Sequence, residues 1–371
     1  MVVKSKKIRI YPTSEQRQIL RNWFGASRFV YNQTIEFLKA PNTKANWKGI
    51  KTNLIRNLPS WTKEVPYQIK SVAIRDACNA VKNAKIKYRK TGVIQSVNFR
   101  KRKDKNQSLF IPKSAIKRNS VYRMLLGKLL TSENFDNNGI LDCRLVIQSN
   151  RMFIVIPCYQ PITRPENQRL DIVSIDPGVR TFLTFYSSEF AGKIGSYDYG
   201  RVQRLCYHLD VLISKMTKAK GKNKYRMKRA LDRLRWKIKD VITDIHCKSA
   251  LFFCRNFKTV IIPVFNSSKM VKNLHSKIAR AMLTWSHYKF LHQLKSKARE
   301  YGTLILSPSE AYTSKTCSRC GEIVSIGTKK KLKCKCGVVI DRDYNGARNI
   351  LFRALGDTPW LMLYQPAMTD S

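Results

Sequence analysis

The spacing of apolar positions changes several times along the chain, and each change marks a predicted element. Residues 3–11, VKSKKIRIY, alternate well enough for a strand. The next segment, PTSEQRQILRNWFGASRFVYNQTIEFLK, opens with Thr13 and Gln16 three residues apart, a capping-box start. Ile19, Leu20, Trp23 and Phe24 follow at helical spacing. A second helical stretch, residues 65–90, sets Ile69, Val72, Ala73, Ala77, Val81 and Ile86 on one face and basic residues on the other. Between 95 and 160 the pattern shifts to short β-like runs: SLFIP, YRMLLG, LDCRLVIQ and RMFIVIPCY. The N-terminal half therefore reads as a small β-barrel or sheet interrupted by a helical insertion, and the chain has no internal repeat.

A polar linker at Asn167–Leu170 leads into DIVSIDPGVRTFLTFYSS, a strand, an Asp-Pro-Gly turn and a second strand. Residues 199–256 predict two long helices broken at KAKGKNK; Leu231, Leu234, Ile238, Val241, Ile242 and Ile245 share one face of the second. A strand at 258–265 (KTVIIPVF), a helix from Lys277 to Glu300 and a strand at 302–308 (GTLILSP) come next. A cysteine module and a helix opened by DRDYNGARNILFRAL close the pattern. The expected class is α/β multidomain, with an RNase H-like C-terminal domain carrying a zinc insertion.

Charge narrows the partner. Lys and Arg number 71 against 24 Asp and Glu over 371 residues, a net charge of +47. Self-repulsion of that size destabilises a compact chain unless a polyanion screens it. The basic runs KSKK, FRKRKDK, KAKGKNKYRMKR and TKKKLKCK are spread over the whole length, which fits an extended channel for nucleic acid better than one patch. A merely solvated, ribosomal-type surface is the bland alternative. No apolar run approaches the ~18 residues needed to span a bilayer, and MVVKSKKIRIYP lacks the apolar core of a secretory signal. Six of the ten cysteines (Cys78, Cys143, Cys158, Cys206, Cys247, Cys254) are scattered among apolar neighbours and are expected to be buried thiols, an intracellular, reducing-compartment pattern.

The other four make two knuckles, Cys317-x2-Cys320 and Cys334-x-Cys336, separated by 13 residues. Each places two sulfurs close enough to share one tetrahedral ion, and Gly321 and Gly337 follow directly where a tight turn needs no β-carbon. The expectation is a structural Zn²⁺. Four ligands leave no open position for catalysis, and Cys-x-Cys departs slightly from the usual second Cys-x2-Cys. Four free thiols in a basic loop are the alternative. The intervening IGTKKKLK is basic and is expected to touch nucleic acid as well.

Acids are scarce, so their positions matter. Asp176, in VSIDPGV, taken alone is a turn residue. Asp341 and Asp343, in VVIDRDYNGARNIL, taken alone are helix N-caps. RNase H-like nucleases, however, need three or four acids that bind two Mg²⁺ about a scissile phosphate, one from the first strand and one from the start of the last helix. Asp176 and Asp343 stand in those places. An acid expected at the end of KTVIIPVF is absent: Pro263 and Val264 stand there. Either the site is dead or Glu310, after the strand GTLILSP, supplies the carboxylate at the same sheet edge.

The ordered motifs resemble the TnpB and Fanzor family of transposon-associated RNA-guided DNA endonucleases. IRIYPTSEQ and FGASRFVYN resemble the family's N-terminal region, VNFRKRKD and SLFIPKSAI its middle, and IDPGVRTFLT its first RuvC motif. TWSHYKFLHQLKSKA, EAYTSKTCSRCG and DRDYNGARNIL resemble its helix, zinc motif and last RuvC motif. TnpB proteins typically end the second RuvC strand with Glu-Asp-Leu, whereas Fanzors carry a relocated glutamate just before the zinc motif, which corresponds to Glu310. The resemblance thus implies Asp176, Glu310 and Asp343 as the Mg²⁺-binding catalytic set, and Cys317, Cys320, Cys334 and Cys336 as zinc ligands. Asp341 is left as a cap or support.

It also implies a wedge-like β-barrel (1–12 and 95–166) with a helical recognition insertion (13–94). The RuvC-like nuclease domain would be 167–310 and 341–356, the zinc ribbon 311–340, and 357–371 a tail without an assigned role. The implied partners are a guide RNA and a target double-stranded DNA flanked by a short motif, in a monomeric ribonucleoprotein without membrane contact. Base pairing would supply the sequence specificity. A eukaryotic or viral source would imply the nucleus, and any other source the cytoplasm. Two alternatives stay open: an RNA-guided DNA-binding protein with an inactive nuclease site, and a zinc-ribbon RNA-binding protein with no DNA target.

Overall fold

The computed structural model describes residues 2–41, 43–136, 139–163, 169–265, 271, 276–308, 313–327 and 329–357. Two compact units divide the chain near Gln160.

In the first unit, β1 (Val2–Ile10), α1 (Ser14–Lys39), α2 (Trp47–Arg56) and α3 (Tyr67–Thr91) precede β2 (Asn106–Ile111), β3 (Ile116–Lys117), β4 (Ser120–Val121), α4 (Arg123–Leu126), β5 (Cys143–Gln148) and β6 (Arg151–Gln160). The sheet runs β1-β6-β5-β2 and is open; the described residues close no barrel. The capping box forms as its residues require: Thr13 Oγ1 accepts from Gln16 N (3.2 Å) and Gln16 Oε1 from Thr13 N (3.1 Å). Ile8, Ile10, Leu20, Trp23, Leu109, Ile111, Leu145 and Ile154 bury one face of the sheet against α1. Arg144 pins α3 to β5 through paired 3.1 Å bonds to Asp76. On α3, Ile69, Val72, Ala73 and Ala77 are buried, but Ile86 is half exposed near the helix end.

YRMLLG, expected as a strand, is instead one turn of helix. Tyr122 (φ 48°) and Gly127 (φ 64°) bracket it in left-handed backbone, and Met124 stands in solvent. A run of consecutive apolar residues carries no period, so the bracketing backbone decides its form.

The second unit contains β7 (Leu170–Pro177), β8 (Leu183–Tyr186), β9 (Ala191–Ile194), α5 (Asp198–Lys218), α6 (Gly221–Asn256), β10 (Phe257–Ile261), α7 (Ser276–Trp285), α8 (His287–Tyr301), β11 (Leu304–Leu306), β12 (Lys331–Lys333), β13 (Val339–Asp341) and α9 (Arg342–Asp357). Its main sheet has the order β11-β10-β7-β8-β9. β7, β8 and β9 form an antiparallel meander, while β10 and β11 run parallel to β7. Strand period two sorts the side chains. Val173, Ile175, Val260 and Ile262 enter a core with Leu231, Ile242, Phe253, Phe290 and Leu294. Ile172 and Ile261 face the other way, onto Ile350 and Ala354 of α9. Among the described residues no helix is long and apolar enough to cross a membrane.

The helix expected from Lys277 to Glu300 breaks at Ser286, in left-handed backbone (φ 53°), into α7 and α8. Of the six scattered cysteines, five are buried and Cys247 is exposed, because its position on α6 faces away from the core.

Candidate functional site

The face of β7 that packs on α9 reads Ile172, Ser174, Asp176. Ser174 Oγ donates to Ala347 O of α9 (2.7 Å), and Asp176, two residues on, is seated against Gly346. A β-carbon at Gly346 would stand 2.6 Å from Asp176 Oδ2, so any larger residue at this helix position would displace the carboxylate. Asp343 lies three residues before Gly346 on the same helix face, one turn away, where side chains are neighbours at about 5–6 Å. Strand period and helix period thus place Asp176 against Gly346, one helical turn along α9 from Asp343.

Asp341 has a different job. Its Oδ1 accepts from the backbone N of Asp343 (2.9 Å) and Tyr344 (3.4 Å), capping α9. Lys193 Nζ reaches Asp341 Oδ2 at 2.8 Å and Asp343 Oδ2 at 4.0 Å. Lys193 pairs with Thr184 across β8–β9, and Thr184 with Asp176 across β7–β8, so all three share the α9 face. Burial pushes the Asp343 carboxyl above the usual range and Asp341 adds to this, while Lys193, Arg342 and Arg180 oppose it. Lys193 and Gly346 were not singled out by the motifs. The spacing Asp343–Gly346 within one helical turn is the signal that could have found the glycine.

The strand register shows why β10 gives no acid. Ile261 pairs with Ser174, and Pro263 is two residues beyond Ile261 as Asp176 is two beyond Ser174. Leu306 of β11 pairs with Ile261, and Ile262 N donates to Leu306 O at 2.9 Å. The three parallel strands therefore end at one edge, where open α/β sheets bind ligands. Glu310 is four residues past Leu306 and lies outside the described residues.

The loop after Asp176 is held from α7 and α8. Trp285 Nε1 donates to Val179 O (2.7 Å), and His287 Nε2 pairs with Gly178 O (2.9 Å). His246 Nε2 pairs with Trp285 O (2.8 Å), and Phe182 stacks within 5.0–5.1 Å of His246, Trp285 and His287. The carbonyl partners fix the proton on each Nε2. The break at Ser286 is what turns Trp285 and His287 toward this loop. Burial lowers both imidazoles to about 4, and His287 Nδ1 is buried with no hydrogen-bond partner.

Both histidines are therefore neutral when folded but titrate near 6.5 when unfolded. Between pH 6.5 and 4 the unfolded chain takes up protons that the folded chain refuses, so stability falls as pH falls. The loss is about 1.4 kcal/mol per pH unit per group at most, and it is absent above pH 6.5. The thermal midpoint of the protein should drop through this window, with a shallower slope in the His246→Gln, His287→Gln variant. An unchanged slope would contradict burial of the neutral rings.

The cysteine module brings all four sulfurs within 4.8 Å of one another. Cys317 and Cys336 sulfurs are 3.7 Å apart, and Cys320 and Cys334 sulfurs 3.5 Å. Tetrahedral Zn–S bonds of ~2.3 Å separate sulfurs by roughly 3.8 Å, so the donor set fits. Gly321 (φ 79°) and Gly337 (φ 87°) turn each knuckle in left-handed backbone. Burial would raise the Cys317 thiol, yet the N–H groups of Cys320 and Arg319 bring it to about 7. Cys334, despite the N–H of Cys336, is pushed up to about 12 by burial and the neighbouring sulfurs. Four thiolates cannot coexist there without a cation. The module's own core is small, chiefly Ile326 and Leu332 with the cysteines, so it cannot hold itself together on apolar burial alone. Full-length protein is expected to carry about one zinc at this set, and Cys317→Ser to lose it together with amide protection over 313–341. Metal analysis and hydrogen exchange check this; zinc retained in Cys317→Ser would contradict it.

Residues 287–350 match the family model described as "Cas12f1-like, TNB domain", and residues 1–40 one described as "Helix-turn-helix domain". In this chain the latter residues form β1 and the single helix α1. A putative transposase of Acanthamoeba polyphaga mimivirus is 27% identical over 95% of this chain and 80% of its own length. A putative RNA-guided DNA endonuclease, InsQ, of Escherichia coli (strain K12) is 24% identical over 93% of this chain and 90% of its own length. In fold, the chain is similar to Cas12f1 in a structure of its complex with sgRNA and target DNA. That match has a TM-score of 0.53 at 15% identity and covers 94% of this chain and 98% of that one.

Proposed function

Since the chain belongs to the TnpB-like family of transposases and RNA-guided endonucleases, we propose that it is an RNA-guided, Mg²⁺-dependent DNA endonuclease. The observation that carries this reading is the seating of the Asp176 carboxylate against Gly346, one helical turn from Asp343. The order β11-β10-β7-β8-β9, with a meander followed by two parallel strands, supports reading the second unit as RNase H-like.

Asp176, Asp343 and Glu310 are the proposed ligands of Mg²⁺, for which hard carboxylate oxygens are the suitable donors. The ions would supply activation of water and stabilisation of the leaving oxygen about the scissile phosphate. Asp176 is aimed by its strand, and Asp343 by the first turn of α9. Lys193 and the cap residue Asp341 hold that turn, and Lys193 offsets its negative charge. Cys317, Cys320, Cys334 and Cys336 hold structural Zn²⁺.

The net charge of +47 fits simultaneous contact with a guide RNA and a target duplex. The first unit is assigned to the guide and to the motif flanking the target. The relocated Glu310 brings the chain nearer the Fanzor than the TnpB pattern, which favours a nuclear location in a eukaryotic or virus-infected cell.

Pro263 favours a second reading, a guided binder whose nuclease site is disabled. Glu310→Gln separates the two. The RNA-loaded variant should bind guide-matched duplex as the native protein does and fail to cut it with Mg²⁺. Undiminished cutting would remove Glu310 from the site, and no cutting by the native protein would favour the binder.

A further inference from the structure

The helix that carries Asp343 is fastened to the cysteine module at two places. The first is covalent: Asp341 ends β13, whose partner β12 joins it to the module, and Asp343 is seven residues past Cys336. Arg342 strengthens this entry, donating its N–H to Lys330 O (2.8 Å) and Nη1 to Gly327 O (3.0 Å).

The second is a pair of asparagines four residues apart on one face of α9. Asn345 is fully buried. Its Nδ2 donates to Thr316 O (2.8 Å), and its Oδ1 accepts from the N–H of Ser318, inside the first knuckle (3.0 Å). Asn349 is also buried, and its Nδ2 donates to Thr313 O (2.8 Å) and Thr316 O (2.6 Å). Thr316 directly precedes Cys317. The knuckle backbone at this point is set by its own turn, with Cys317 N donating to Glu322 O (2.8 Å) and Gly321 N to Cys317 O (3.0 Å).

Buried amides that hydrogen-bond one short segment report the position of that segment. An asparagine side chain has little slack, and leaving its polar atoms unpaired in the interior costs free energy. The helix cannot keep these bonds if the knuckle opens. The apolar core of the module is small, Ile326 and Leu332 with the cysteines and a few half-buried neighbours, so closure of the knuckle leans on the metal.

We infer that Asn345 and Asn349 are positioning residues that transmit the state of the cysteine knuckle to Asp343, so that zinc loading sets the nuclease site. The inference rests on the endonuclease reading for its consequence in activity, but the linkage itself is structural. It predicts that a metal some residues away from the chemistry, with no open coordination position, nevertheless controls cleavage.

The test uses the full-length, RNA-loaded protein and reads hydrogen exchange at the first turn of α9 (342–346), with β7 as internal control. Removal of zinc by a chelator should raise exchange at 342–346 at least about tenfold while β7 is unchanged. The Asn345→Ala, Asn349→Ala variant should show the same fast exchange while still holding zinc. Cobalt loaded in place of zinc should give the same thiolate absorption as in native protein. Its turnover with guide-matched duplex should fall about tenfold or more with target affinity unchanged, a split that general unfolding does not produce.

If the double variant does not fold, the chelation experiment on native protein decides alone. Protection at 342–346 that survives zinc removal overturns the inference. So does a zinc-loaded double variant with native exchange and native turnover. If native protein proves not to cut DNA but shows the exchange linkage, the linkage stands and the endonuclease reading fails.

Discussion

Asp176→Asn is expected to lower cleavage of guide-matched DNA by about a thousandfold or more while leaving guide and target binding intact. The carboxylate leaves the end of β7 on the α9 face and lies against Gly346, beside the helix turn that carries Asp343. Replacing one oxygen by an amide keeps the volume and removes the charge that would hold a divalent ion. Metal-assisted stabilisation of a phosphoryl transition state is worth several kcal/mol, and each ~1.4 kcal/mol is tenfold in rate. Asp343→Asn should have an effect of similar size, and the double variant little more than either alone, because the two acids act as one unit. Single-turnover cleavage with a parallel binding titration checks this. Loss of binding in step with cleavage would instead make Asp176 a structural turn residue.

Gly346→Ala should separate stability from activity in the opposite way to a common core mutation. Alanine in place of glycine within a helix normally stabilises by roughly 1 kcal/mol. Here the added β-carbon would meet Asp176 Oδ2 at 2.6 Å, closer than non-bonded atoms approach, so the carboxylate must move. A displacement of about 1 Å in a catalytic group can cost on the order of a hundredfold in rate. The expected result is a thermal midpoint near native with cleavage reduced about a hundredfold. Native cleavage rates in a folded Gly346→Ala protein would show that Asp176 can yield without cost, and would weaken its place in the site.

Much of this arrangement follows from local rules. Period two along VSIDPG sends Ser174 and Asp176 to one face, and Thr13 with Gln16 caps α1 just as that spacing directs. The knuckle glycines take the left-handed backbone that their positions require. Other features depend on distant partners. TWSHYKF keeps helical periodicity through Ser286, so the break is invisible until Trp285 and His287 find the carbonyls of Val179 and Gly178. YRMLLG has no period at all, and left-handed backbone on either side makes it a helical turn. The barrel expected in the first unit does not close among the described residues, and strand runs alone do not specify whether edges meet. Lys193 belongs to an unremarkable segment, AGKIG, and acquires its meaning only from the register that sets it beside Thr184 and over Asp341.

The proposed function requires base pairing with a bound RNA to direct this chain to cut DNA. The most direct measurement is to purify the protein with RNAs differing only in their guide segment and to map cuts in a set of duplexes in Mg²⁺. Cutting is expected only of the duplex matched to each guide, moving with the guide when it is changed and absent when the divalent ion is chelated. Cutting that ignores the guide, or guide-dependent binding with no cut under any divalent ion, would contradict it.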